Sequence, residues 1–304
     1  MLAWLLLVAI PAAPAPSQTQ STPKAPAEVL IQAPEPRYAA PTRRDKIGRV
    51  WAPVLINGRG PFRLVLDTGA SDSAITAAVV AALGLVADPS RTVLVRGVAG
   101  SAIVPIVRVD TLTVGDLELS SLTLPIIADA LGGADGILGA SYLADKRIDI
   151  DFLHDHLTIA RSHRQSAPIG FITLPLERSG PGLLMVKGSL AHIRVHAIID
   201  TGAQRSIGNN ALRTALVNHH VQGTPDQIYD VTTAVQEGEL IESPPIVLGG
   251  IEIRGARITY GEVRIFEHWH LTREPAILIG MDALGLLDEL IIDYQKRELE
   301  LRLQ

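Results

Sequence analysis

The tetrapeptide Asp-Thr-Gly-Ala occurs twice, at 67–70 and at 200–203, each time directly behind an apolar run, LVL at 64–66 and AII at 197–199. A single copy needs no more than a strand-ending turn, in which Asp bonds its own backbone and Gly supplies a positive φ. Two copies in register need more. If the halves are related by an approximate two-fold axis, equivalent residues meet there, and Asp67 and Asp200 come within hydrogen-bonding distance. Two carboxyl groups that close share one proton and titrate as a pair. The ionised member can take a proton from water while the protonated one donates to a carbonyl oxygen, which adds water to an amide without a metal or a covalent intermediate. In this arrangement Thr68 and Thr201 hydrogen-bond across the axis. Gly69 and Gly202 let backbone N–H groups approach the carboxylate oxygens, and Ala70 and Ala203 complete the motif.

Short strands must position these residues. Phe62, Leu64 and Leu66 alternate with Arg63 and Val65, and Ile193, Val195, Ala197 and Ile199 alternate with Arg194, His196 and Ile198, the two-residue period of a half-buried strand. Asn57-Gly58 predicts a hairpin between the run from Val50 to Ile56 and the first Asp strand. Helices are expected over Ala74 to Leu83, stopped by Gly84, and over Asn209 to Leu216. Other landmarks recur at nearly the spacing of the two Asp residues. Val114 to Leu119 matches Leu248 to Ile253, Ile137-Leu138-Gly139 matches Leu278-Ile279-Gly280, and Ile150-Asp151-Phe152 matches Ile292-Asp293-Tyr294. A duplicated fold unit follows. The expected lobes are 46–161 and 169–304, joined by the polar stretch 162–168, in a mainly β, all-β class with a few short helices.

With 47% hydrophobic residues, 304 positions can fill sizeable cores. The 27 basic against 32 acidic residues form no basic stripe, and aromatics are few, so nucleic acid is excluded as a partner. Leu2 to Ile10 is an apolar run of signal-peptide length, followed by Ala13-Pro14-Ala15, so residues 1–15 are expected to direct export to the periplasm or medium. Membrane contact is expected only through this segment if it stays uncleaved. Residues 16–45, rich in Pro and Ala, form a linker, and folding is expected to start near Lys46. There is no Cys, hence neither disulfides nor thiol chemistry.

The two motifs, LDTGA with ILG at 137–139 and IDTGA with LIG at 278–280, resemble those of the retroviral-type (retropepsin-like) aspartic proteases, and more distantly the pepsins. The resemblance covers both lobes and is nearest to the bacterial envelope aspartyl proteases. It implies two retropepsin-like β-barrel lobes related by a pseudo-two-fold axis, an active site between them, and each Asp loop threaded beside its apolar-apolar-Gly segment. Retroviral enzymes use two identical chains; here one chain supplies both halves, so a monomer with pseudo-dimeric lobes is expected. The resemblance also implies a flap over the bound peptide, which Gly97, Val98, Ala99 and Gly100 would form, with a tip loosened by its glycines. The equivalent stretch of the second lobe, Val231 to Leu240, has Gly238 as its one glycine, so its flap is expected to differ.

The lobes diverge just beyond the motifs, where Ala70-Ser71-Asp72 stands against Ala203-Gln204-Arg205. Arg205 is read as a loop-stabilising residue in preference to a contact for a substrate carboxylate. Met281 to Leu284 is nearer the family's helix start than Ala140 to Leu143. His154, His156, His219, His220, His268 and His270 lack a placed carboxylate and an HExxH pattern, so no metal or other cofactor is expected. No G-x-S-x-G elbow occurs. Asp149, Asp151 and Asp293 are read as hairpin-turn residues in preference to a second acid pair. The resulting expectation is an aspartic endopeptidase acting on extended protein or peptide; the alternative is a catalytically silent peptide-binding or scaffold protein of the envelope on the same fold.

Overall fold

A computed structural model of the chain describes residues 38–41, 43–44, 48–114, 117–179, 183–216 and 223–303. The expected leader, most of the expected linker, Gly115-Asp116 and the pair His219-His220 lie outside the described residues. Among those described, the fold is mainly β, in three sheets of eight, ten and six strands. The eight-stranded sheet draws its strands from 43–138 and the ten-stranded sheet from 177–279.

The first hairpin forms as its sequence dictates. Val50–Ile56 pairs antiparallel with Arg59–Leu66. Asn57 and Gly58 both take positive φ, 51° and 70°, the left-handed pair that a two-residue turn of matching twist requires. The Asn57 side chain then accepts the N–H groups of Asp110 and Thr111, tying the turn to the next long strand. The helix is shorter than expected. Ala74–Thr76 is a strand, hydrogen-bonded to Gly136–Leu138 on one side and Ile126-Ile127 on the other, and only Ala77–Leu83 is helical. Of Ala74, Ile75 and Thr76 two are β-branched and fit a strand better than a helix, and the central sheet position pairs their backbone groups. Gly84, at φ 67°, closes the helix as expected. Its counterpart Asn210–Ala215 starts at Asn209, whose side chain accepts the N–H of Leu212.

The duplication holds at the level of strand registers. Leu64–Leu66 runs parallel to Gly136–Leu138, and Ala197–Ile199 runs parallel to Ile277–Ile279. Ala74 pairs with Ile137 as Ile207 pairs with Leu278, and Ile75 pairs with Ile126 as Gly208 pairs with Tyr260. The third sheet belongs to both halves. In it Lys146–Asp151 pairs antiparallel with Glu289–Asp293, so that Asp149 faces Ile291, its own counterpart in the repeat. The pseudo-two-fold axis therefore passes through this pair. One apolar core runs from Val50, Val54 and Leu64 through Ile148, Ile150, Leu290 and Ile292 to Ile246 and Leu248. Pairing also reaches back beyond the expected start at Lys46: Tyr38–Pro41 lies against His156–Ile159, and Arg43-Arg44 against Val50-Trp51. Short backbone pairing needs no apolar period, which is why composition marks this stretch as linker.

Candidate active site

Each Asp loop leaves its strand at the same point and is held the same way. The N–H of Asp67 donates to Leu138 O and that of Asp200 to Ile279 O, both at 3.0 Å. Beyond the motif, Ala140 N–H donates to Ala70 O and Met281 N–H to Ala203 O, both at 2.9 Å. The apolar-apolar-Gly segments thus clamp both ends of each loop. Gly139 and Gly280 have to be glycine here, because a Cβ would overlap the backbone of Asp72 and Arg205 respectively.

The loops meet across the axis. Thr68 Oγ1 accepts from Thr201 N–H at 3.1 Å and donates to Ile199 O at 2.7 Å; Thr201 Oγ1 accepts from Thr68 N–H at 3.2 Å and donates to Leu66 O at 2.6 Å. Both side chains are buried, Thr201 completely. Gly69 and Ala70 donate to Asp67 Oδ1 at 2.9 and 2.8 Å, and Gly202 and Ala203 to Asp200 Oδ1 at 2.9 and 3.0 Å. Asp67 and Asp200 hydrogen-bond to each other. The glycines do more than their sequence implies. Their N–H groups serve the carboxylate of their own lobe, and their missing Cβ makes room for the other: a side chain at Gly69 would overlap Asp200, and one at Gly202 would overlap Asp67.

Both carboxyl groups open into a cleft of about 1810 Å³, lined by Val65, Ile127 and Ile137 from one half and by Ile207, Ile265 and Trp269 from the other. Two hairpin tips border it. One is Gly97–Gly100, between strands Asp88–Arg96 and Ser101–Val114, closed by Gly97 N–H to Gly100 O at 2.8 Å. The other is 230–234, between Thr224–Tyr229 and Val235–Glu242. Gly238 is not in this second tip. It sits within its strand opposite Asp226, where Thr259 and Tyr260 leave no room for a side chain.

Comparison with known proteins agrees with this geometry. Residues 52–142 match the aspartyl protease family. Among solved structures the chain is similar to an aspartic proteinase from Irpex lacteus, with a TM-score of 0.54 and 12% identity, over 88% of this chain and 98% of that one. No curated protein matches it significantly. In family and fold the chain is similar to the pepsin/retropepsin-like aspartic proteases. The expected mainly β, two-lobed class holds with it.

Within this protease fold the two carboxyl groups are not alike. Burial raises both above the usual carboxylate range, and Asp200, only 5% exposed, rises well above it because the charge of Asp67 adds to the burial. The rise at Asp67 is offset by the N–H groups of Ala70 and Gly69, by its hydrogen bond to Asp200, and by the Arg49 guanidinium. Both groups therefore hold a proton more readily than a free carboxyl group, Asp200 by the larger shift. Sequence reasoning missed Arg49, which is 7% exposed and donates to Leu131 O at 2.6 Å. Nothing in its local sequence sets it apart from its neighbours. Arg205 pairs with Asp226 at 3.1 Å, the loop-stabilising role expected of it, and Asp226 also accepts the Thr259 hydroxyl. Asp282 accepts from the N–H and hydroxyl of Ser206, whereas in the first lobe the Ser141 hydroxyl donates to Asp72 at 3.3 Å.

The remaining acids need correction in part. Asp151 accepts from Leu153 and His154 N–H, and Asp293 from Lys296 N–H, as turn residues do. Asp293 also accepts from the Ser162 hydroxyl and from Arg147, which is bonded to the buried Glu300 as well. Asp149 is not in a turn. It lies mid-strand beside Glu289, a second acid pair that the sequence gives no reason to expect, because the partner is supplied by a strand 140 positions on. Among the described residues, no cluster of three or more His, Asp or Glu could hold a metal ion.

Proposed function

We propose that this protein is an aspartic endopeptidase that hydrolyses extended polypeptide in the cleft, with Asp67 and Asp200 as the catalytic pair. The observation that carries the reading is a hydrogen-bonded pair of raised carboxyl groups, held rigidly by eight hydrogen bonds from the two motifs, at the base of an apolar-walled cleft. Ionised Asp67 takes a proton from the attacking water. Protonated Asp200 donates to the carbonyl oxygen of the scissile amide as the water oxygen bonds to its carbon; Asp67 then gives the proton it took from water to the leaving nitrogen, Asp200 recovers one from the diol as the C–N bond breaks, and the pair returns to its starting state. The apolar walls and the two hairpins shield the reacting groups from bulk water. The substrate is a protein or peptide segment, and the chain acts as an exported monomer. Purified protein is expected to cleave denatured protein or a peptide library under acidic conditions, and Asp67→Asn and Asp200→Asn are each expected to abolish cleavage. Wild-type cleavage by both variants would refute the reading. Peptide binding without products in the wild type would replace it with the silent binding protein.

A further inference from the structure

The two hairpin tips are joined by one side chain that the catalytic scheme does not use. Asp230, at the start of the second tip, has both carboxylate oxygens committed. Oδ1 accepts the N–H and the hydroxyl of Thr232 at 2.8 and 2.6 Å, bonds made within its own turn. That fixes the direction of Oδ2, which crosses to the other hairpin and accepts the N–H groups of Ala99 and Gly100 at 2.7 and 2.9 Å. These are charge-assisted bonds of good length. The approach is so close that a Cβ at Gly97 would overlap Asp230 Oδ2, and one at Gly100 would overlap Ala234.

The tips also exchange apolar residues. Ala99, from the first half, is buried among Leu183, Met185, Ile207 and Ile228 of the second. Val231, from the second half, packs against the cluster of Val65, Ala74, Ile127, Leu131, Ala134 and Ile137 of the first. Both tips line the same cleft as Asp67 and Asp200. A turn residue alone would need only the bonds to Thr232; the bonds from Oδ2 link segments 130 positions apart across the site.

We propose that Asp230 is a positioning residue that latches the two hairpins together over the catalytic pair and sets how readily the cleft opens to a peptide. The inference rests on the endopeptidase reading for its consequence, but not for its geometry. The latch needs an anionic acceptor on one tip and side-chain-free backbone on the other, a division of labour that the unequal glycine content of the two tips supplies.

Since the chain has no Cys, Ile103→Cys and Val235→Cys, at positions 74% and 50% exposed on the two hairpins, can carry spin labels for distance measurement. With Asp230 present, one narrow distance distribution is expected. Asp230→Ala should add a longer population and raise KM for a peptide by about 10-fold, with kcat changed by less than about 3-fold, because the roof holds bound peptide rather than reacting atoms. Asp230→Asn, which keeps an acceptor oxygen without the charge, should fall between. Gly97→Ala, which crowds the latch from the opposite tip, should reproduce the Asp230→Ala distances and serves as the test if that variant does not fold. An unchanged distance distribution in the folded variant overturns the proposal. So does a longer distance with wild-type KM and kcat. The distance needs no turnover, so the latch and the catalytic assignment, tested by Asp67→Asn, stand or fall separately.

Discussion

Arg49 is a residue outside the two motifs whose charge reaches Asp67, adding to the larger effect of the hydrogen bonds from Ala70, Gly69 and Asp200. Its guanidinium lowers the proton affinity of Asp67, the member that the proposed mechanism needs ionised to activate water. Arg49→Gln removes that charge, so Asp67 holds its proton to higher pH. The acid limb of the kcat/KM profile is therefore expected to move upward. A profile that loses height without shifting would refute the coupling. The threonines act through structure. Thr201→Val deletes a buried donor to Leu66 O and a buried acceptor for Thr68 N–H, leaving two unsatisfied groups. A loss of about 2–4 kcal/mol is expected in chemical denaturation, against less than about 1 kcal/mol for Thr201→Ser. What is legible at this scale is local repetition: Asp67, Thr68 and Gly69 announce themselves because they recur. Arg49 and Asp230 do not recur, and their partners at Leu131, Ala99 and Gly100 lie far along the chain. The Asp230-Val231-Thr232 turn can be read from sequence, but not the direction of its second carboxylate oxygen.

Among the elements, the hairpins are the easier part to read, since Asn57-Gly58 carries its backbone preference in two adjacent residues. The strand at 74–76 is harder to read, because its backbone pairing comes from the neighbours on either side. The same dependence on neighbours gives the apolar-apolar-Gly segments their role. Gly280 abuts the backbone of Arg205 and Ala203, which cannot yield as a flexible side chain would. Gly280→Ala should push the Asp200 loop off the segment that clamps it, at about 1–3 kcal/mol and with loss of cleavage. Gly250→Ala is the matched control, since a Cβ there meets nothing within 4 Å. Its stability and cleavage are expected to match wild type; equal damage from both substitutions would mean that helical or strand propensity, not the clamp, is being measured.

Over the whole molecule, the two halves depend on the sheet they share, and that sheet carries a group at odds with its surroundings. Asp149 lies mid-strand at the pseudo-two-fold axis, beside Glu289, with Thr158 and Ile291 opposite it and Arg147 and Asp151 on its own strand. Burial, then the charge of Glu289, pushes its carboxyl from 3.8 up to about 7, with Arg147 acting the other way. Glu289 is itself held by Arg302 at 3.0 Å. The folded state therefore binds this proton more tightly than the unfolded chain. The stabilisation is fully present below about pH 4, is lost progressively as the pH rises to about 7, and stays lost above that. A proton held to about pH 7 instead of 3.8 is worth at most about 4 kcal/mol, and less where water reaches the pair. Asp67 and Asp200 are also raised and act in the same direction, so the wild-type slope contains all three. Asp149→Asn isolates one. Its amide has no charge to develop between the halves, so the variant should match the wild type in acid and exceed it in melting temperature at and above neutral pH. Cleavage in acid should be unchanged, since Asp149 takes no part in the chemistry proposed for Asp67 and Asp200. Parallel melting curves for variant and wild type across this range would mean that Asp149 is ionised in the fold and that the halves are held together without its proton.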